Sequence, residues 1–135
     1  MANYCLDSSI VIDFLRNHEN VKYHWQKARK SGNILSICPT VYYEVVRGFK
    51  IANASQRLKE FLKIYEELSD LPFDMRATEK AIDIYEQLQK EKRLIEDNDI
   101  YIAAISMVND CTLVTSNVKH FSRVEGLKFV NWRDT

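Results

Sequence analysis

A three-layer α/β/α sandwich around a central parallel sheet of about five strands is the fold this sequence predicts, and two observations carry it. Short apolar runs (NYCL, ILSIC, TLVTS, LKFVNW) alternate with longer stretches whose apolar residues recur at helical spacing. Those runs are apolar on both faces, the pattern of strands covered by helices on either side. At 135 residues and 46% hydrophobic, the chain has apolar surface enough for one core, and 1–135 reads as a single domain.

NYCL enters the turn DSS as a first strand. IVIDFLRN follows as a helix, with Asp7 or Ser8 as its N-cap. An amphipathic helix from about Val21 to Ser31 stops at Gly32. ILSIC is the second strand. PTVYYEVVRGF is the next helix, with Thr40 as cap and Val41, Val45, Val46 and Phe49 on one sector. Leu58, Phe61, Leu62, Tyr65 and Leu68 form a helical stripe, and LPF then reads as a short edge strand because of Pro72. Ala77, Ala81, Ile84, Tyr85 and Leu88 make another stripe. DNDIYIAAISMV is a helix apolar almost all the way round, TLVTS a strand, VKHF a short helical turn, and LKFVNW, after Gly126, the last strand.

Nineteen basic side chains balance nineteen acidic ones, so a polyanion would have to bind through a local basic patch. Three cysteines without CxxC spacing predict buried thiols rather than a disulfide framework or a zinc site. The N-terminal stretch has no basic start and is interrupted by Asp7 and Asp13. It is expected to be neither a signal peptide nor a membrane span, and the cytoplasm is the expected compartment.

The acids carry the chemistry. Ligands of parallel sheets sit at the carboxyl ends of the strands. Asp7 follows the first strand, Glu44 lies one turn into the helix after the second, and Asp97 and Asp99 open the helix that precedes TLVTS. Carboxylates meeting at one edge raise each other's pKa unless a cation offsets them. An all-oxygen set suits Mg²⁺ or Mn²⁺, which activates water and stabilises charge on a phosphoryl group. Each acid also has a plain reading. Asp97 suits an N-cap, Asp99 a helix dipole, Asp7 a turn and Glu44 a solvated helix face. Asp13 and Asp110 read as surface or turn acids, and His18, His24 and His120 as scattered, solvated residues.

Taken in order, LDSS (6–9), TVYYEVVRG (40–48), DNDIYIAA (97–104) and TLVTSNVKHF (112–121) resemble the PIN-domain ribonucleases. The likeness spans the whole chain and is closest to VapC-type toxins of toxin–antitoxin pairs, including the FitB-like branch. It implies an endoribonuclease in which Asp7 and Asp99 hold Mg²⁺, with Mn²⁺ as a substitute, and Glu44 positions or deprotonates the attacking water. It places Ser8 or Ser9 as the hydroxyl beside Asp7 and Asp97 in support, while Thr115, Ser116 and Asn117 fix the coordination shell. Arg47, Lys50, Lys119 and Arg123 are the candidate RNA contacts at the rim. A homodimer and a VapB-like antitoxin partner blocking the acidic groove are also implied.

One departure stands out. Many members carry a fourth aspartate where this chain has Asn117, so one metal ion is expected rather than two. Two alternatives compete with the nuclease. A non-catalytic PIN-like binding module would not need all three acids. An aspartate-based phosphoryl-transfer protein would want Asp-x-Asp, or a late-strand lysine, where the chain has Asp7-Ser8-Ser9 and VTSN.

Overall fold

The computed structural model describes residues 2–135. Five parallel strands, β1 (Asn3–Leu6), β2 (Ile34–Ile37), β3 (Ser69–Asp70), β4 (Thr112–Val114) and β5 (Phe129–Val130), lie in the order β3-β2-β1-β4-β5. Between them run α1 (Ser8–Leu15), α2 (Glu19–Lys30), α3 (Pro39–Ile51), α4 (Ser55–Tyr65), α5 (Met75–Lys90), α6 (Asp97–Val108) and α7 (Val118–Phe121). The expected sandwich with a five-stranded parallel sheet is the fold observed.

The strand order decides where a ligand can sit. From β1 the chain winds outward to β2 and β3, then returns to the other side of β1 for β4 and β5. The crevice between the carboxyl ends of β1 and β4 is therefore the topological switch point of the sheet. Leu6, Leu113 and Val114 at the ends of these two strands are fully buried, so the crevice has a rigid apolar floor.

α6 is central because its sequence leaves it little choice. Ile100, Ile102, Ala103, Ala104, Ile105 and Ser106 are all buried, and the helix packs against α5, α3 and β4. Burying one such isoleucine contributes about 1.5–3 kcal/mol. The alanines let neighbouring backbones approach, and Ser106 satisfies its hydroxyl on the Cys111 carbonyl at 3.2 Å. The first turn of this helix, with its acids, is thereby pinned at the sheet edge.

Several local expectations are corrected. Cys38, not Thr40, is the N-cap residue of α3, because Pro39 occupies the first helical turn, where its fixed φ and missing N–H cost nothing. The edge strand is Ser69–Asp70 rather than LPF. Leu71 still donates to the Ile37 carbonyl at 2.9 Å, but Pro72 has no N–H with which to extend the ladder. α1 begins at Ser8, directly after its cap Asp7, and the last strand contracts to two residues. The three thiols are buried and free, as expected.

Asp13 is the larger correction. It is buried on α1, only 5% exposed, and Arg133 grips it with one guanidinium edge, Nε and Nη2 donating to its two oxygens at 2.7 and 2.8 Å. The partner lies 120 residues away, so no local pattern reveals it. Asn20 reinforces the clasp by donating to the Arg133 carbonyl, and His24 meets the Thr135 carbonyl at 2.9 Å. His18 is likewise engaged, as the N-cap residue of α2, where Nδ1 accepts from the Val21 N–H.

Removing Arg133 leaves a buried carboxylate without its partner. Arg133→Ala is expected to destabilise the fold by about 2 kcal/mol, discounted from a fully buried pair because the arginine is half exposed. Asp13→Asn in the same background is expected to recover part of the loss. Urea unfolding curves of the two variants check both statements, and an unchanged midpoint for Arg133→Ala would count against them.

Candidate active site

Asp7 is the best-held of the acids. Its backbone N–H donates to the Val114 carbonyl at 2.9 Å, which welds the β1 exit to the end of β4. Its Oδ1 accepts from the Ser8 N–H at 2.9 Å as the N-cap of α1, and its Oδ2 accepts from the Thr115 hydroxyl at 2.7 Å. Only 6% of the residue is exposed. Thr115 is itself fully buried. Its N–H donates to the Val130 carbonyl, and its hydroxyl oxygen accepts from the Asn117 N–H at 3.0 Å. Ser9 closes the crevice by accepting from the Ser116 N–H at 3.4 Å.

Two other acids approach from separate elements, near enough for their charges to act on Asp7 or on each other. Glu44 comes from α3 and Asp99 from the first turn of α6. Burial pushes the Glu44 carboxyl above the ordinary range, and the charges of Asp7 and Asp99 push it further, against the opposing effects of Asn98 and Arg47. Asp7 is raised in the same direction, chiefly by burial and also by the Asp99 charge. Its hydrogen bonds from Thr115, Ser8 and Ser9 pull the other way. The charges of these three carboxylates thus act on one another.

Two participants were not visible in the sequence. His120 on α7 is not solvated. Its Nδ1 lies 3.0 Å from Asp99 Oδ2 and 2.9 Å from Asn117 Nδ2. A proton on Nδ1 is donated to Asp99, and without that proton Nδ1 accepts from the Asn117 amide. Asn98, beside Glu44, is the second. A signal existed for His120 alone, since it sits one helical turn beyond Asn117, whose position the family motif marks.

The remaining candidates divide. Ser8, on α1, lines a groove that also contains Glu44. Ser116 and Asn117 are half-buried at the β4 exit. Asp97 is not joined to the cluster. It is the first residue of α6, exposed, and faces a different hollow with Phe73, Tyr85 and Tyr101, while Glu96 takes the N-cap position. Arg47, Lys50 and Lys119 are exposed. Arg123 is committed elsewhere, donating to the Arg93 and Leu94 carbonyls at 3.4 and 3.2 Å and so tying down the loop before α6.

The donor set fits a hard cation that keeps much of its water. Among the described residues, no group of three or more His, Cys, Asp or Glu side chains is placed to hold a metal ion. The crevice instead presents carboxylate oxygens, and Oε1 of Glu44 is buried without a hydrogen-bond partner. Mg²⁺ is commonly held through one or two carboxylates, with waters completing its octahedron. An unpartnered oxygen is suited to receive such a water.

A parallel sheet with acids around its switch point defines a class of α/β proteins whose ligands sit at the carboxyl ends of the strands. The chain belongs to the PIN-domain family, whose profile matches residues 4–127. Ribonuclease VapC1 of Methanocaldococcus jannaschii is 30% identical over 126 residues, covering 91% of this chain and 83% of that protein. Among solved structures, VapBC2 from Rickettsia felis bound to a promoter DNA fragment superposes with a TM-score of 0.87 at 24% identity, covering 96% of this chain and 98% of that one. FitAcB from Neisseria gonorrhoeae shares the fold at a TM-score of 0.79 and 18% identity, covering 96% and 97%.

The raised acids make stability depend on pH in a defined sense. A carboxyl whose folded pKa lies above its unfolded value binds its proton more tightly when folded. Stability therefore falls as pH rises from the unfolded value, about 4, through the folded one, and the loss is complete above it. In chelator, Asp7→Asn keeps the helix cap but removes a charge. It is expected to flatten this fall above about pH 4 and to melt above the parent at the upper end of the range. Thermal melts across that range decide it; a steeper fall in the variant contradicts the coupling.

Proposed function

We propose that this protein is a metal-dependent endoribonuclease, the toxin of a VapBC-type pair. The observation that carries the reading is the convergence of Asp7, Glu44 and Asp99 at the switch point of the sheet, with Asp7 and Glu44 both raised and Glu44 Oε1 unpartnered. The likeness to the archaeal VapC ribonuclease supports RNA as the substrate.

Asp7 and Asp99 are the residues that would hold Mg²⁺, or Mn²⁺ in its place. When bound, the ion supplies positive charge to the phosphoryl oxygens and lowers the pKa of water. The chain's own part is positional. Thr115 fixes one oxygen of Asp7 and Ser8 the other, so the carboxylate cannot rotate. His120 holds one oxygen of Asp99 and leaves the other free. Glu44, with its proton affinity raised toward the operating range, accepts a proton from the attacking water. The new P–O bond forms from that water, the ester P–O bond breaks, and the departing oxygen takes a proton from solvent. Arg47, Lys50 and Lys119 supply the cationic rim for the RNA backbone.

Beside Glu44 runs an apolar groove of about 420 Å³ between α1, α3 and α4, lined by Ile12, Leu15, Val45 and Phe49 with Arg57 at its rim. We read this groove as the seat of a VapB-type antitoxin, since occupancy there also covers Glu44. The solved VapBC2 assembly from Rickettsia felis supports such a partner.

Cleavage of a pool of RNAs in Mg²⁺ is expected to stop in EDTA and to fall on the order of a thousandfold in Asp7→Asn or Asp99→Asn. Thr115→Ala, which only frees the Asp7 carboxylate, is expected to lose roughly 10–100-fold. Gel analysis of the cleaved pool is the readout. Cutting that persists in chelator or in either aspartate variant rules out the mechanism.

A further inference from the structure

α3 carries a second chemical feature directly beside Glu44. At about 100° per residue, Tyr43, Arg47 and Lys50 fall in one sector of the helix, next to the sector of Glu44. Tyr43 is 56% exposed, and the Arg47 guanidinium carbon stands over its ring at 4.7 Å from the centroid. One face of the ring is thus covered by a planar cation, while the residue as a whole stays more than half open to solvent. The Arg47 charge also reaches Glu44, opposing the rise in its proton affinity, so the pair is electrically joined to the acidic crevice.

Within the nuclease reading on which this inference rests, we propose that Tyr43 and Arg47 form a stacking platform for one unpaired nucleobase of a single-stranded RNA, next to the phosphodiester presented to Glu44. The open aromatic surface takes the base, the guanidinium backs the ring and faces the phosphate, and Lys50 continues the cationic track along the helix. Aromatic and arginine planes capture splayed single-stranded bases in this way, whereas bases inside a duplex are already stacked and do not reach such a platform. The platform therefore selects unpaired RNA over helical RNA without reading a particular base by hydrogen bonds.

The test uses the full chain in EDTA, where no cutting occurs, with an oligoribonucleotide carrying 2-aminopurine and a hairpin version that pairs the same segment. Stacking quenches 2-aminopurine, so the wild type is expected to bind the single strand with a fall in fluorescence. Tyr43→Leu is expected to lose the quench and about tenfold in affinity for the single strand, with hairpin binding unchanged, while Tyr43→Phe keeps both. Equal losses on strand and hairpin, or an unchanged quench in Tyr43→Leu, overturn the platform. So does a Tyr43→Leu variant that binds RNA normally but releases a VapB-type antitoxin, which would assign the pair to the protein partner. The underlying reading fails separately. RNA that is bound and quenched yet uncut in Mg²⁺ retires the nuclease and leaves the platform. RNA cut equally well by the wild type and Tyr43→Leu, with the quench retained in both, does the reverse.

Discussion

Mutual repulsion among carboxylates is the constraint around which this molecule is organised. Asp7, Glu44 and Asp99 come from three elements around the switch point of the sheet; burial first, and then their mutual charge, makes Asp7 and Glu44 hold their protons more tightly. The fold offsets that cost with fixed dipoles. Asp7 caps α1 and Asp99 sits in the first turn of α6, so each faces the positive end of a helix, an effect of about 0.3–1 kcal/mol apiece. Thr115 and His120 add directed hydrogen bonds. The apolar all-round burial of α6 supplies the rest, since a helix anchored on every side cannot swing its acids apart.

Glu44 is the boundary between two surfaces of opposite character. On one side lies the apolar groove of α1, α3 and α4; on the other, the polar sector of Tyr43, Arg47 and Lys50. One helix thus presents three faces by rotation alone: core contacts through Val41 and Val45, the half-buried Glu44, and the solvent side with Tyr43, Arg47 and Lys50. A protein filling the groove and a nucleic acid lying along the polar sector would both abut the same carboxylate, which couples inhibition to substrate access without any conformational change.

Much of this arrangement was legible in the sequence, and the boundary of legibility has physical causes. The alternation of apolar runs and helical stripes specified the sandwich because burial on both faces leaves a strong periodic trace. Asp7, Glu44 and Asp99 stood out only together, through motifs in a fixed order, since each alone fits an ordinary cap or surface role. Asn98 left no trace of its own, and His120 only its place one helical turn beyond Asn117. Their parts depend on the mutual placement of α3, α6 and α7, which no local pattern encodes. Asp13 was misread for the same reason, its partner being 120 residues distant. Asp97 was drawn toward the site by its neighbours in sequence, yet a position two residues from Asp99 on a helix points to a different side.

The Asp7–Thr115 hydrogen bond joins residues 108 positions apart, and the β1–β4 pairing beside it is equally long-range. A ribosome releasing this chain from its N-terminus exposes Asp7 and Glu44 well before Thr115 and His120 exist. Until both of these residues have been made, Asp7 and Asp99 lack the hydrogen bonds that hold their carboxylates, so the crevice is completed in one step rather than piecemeal.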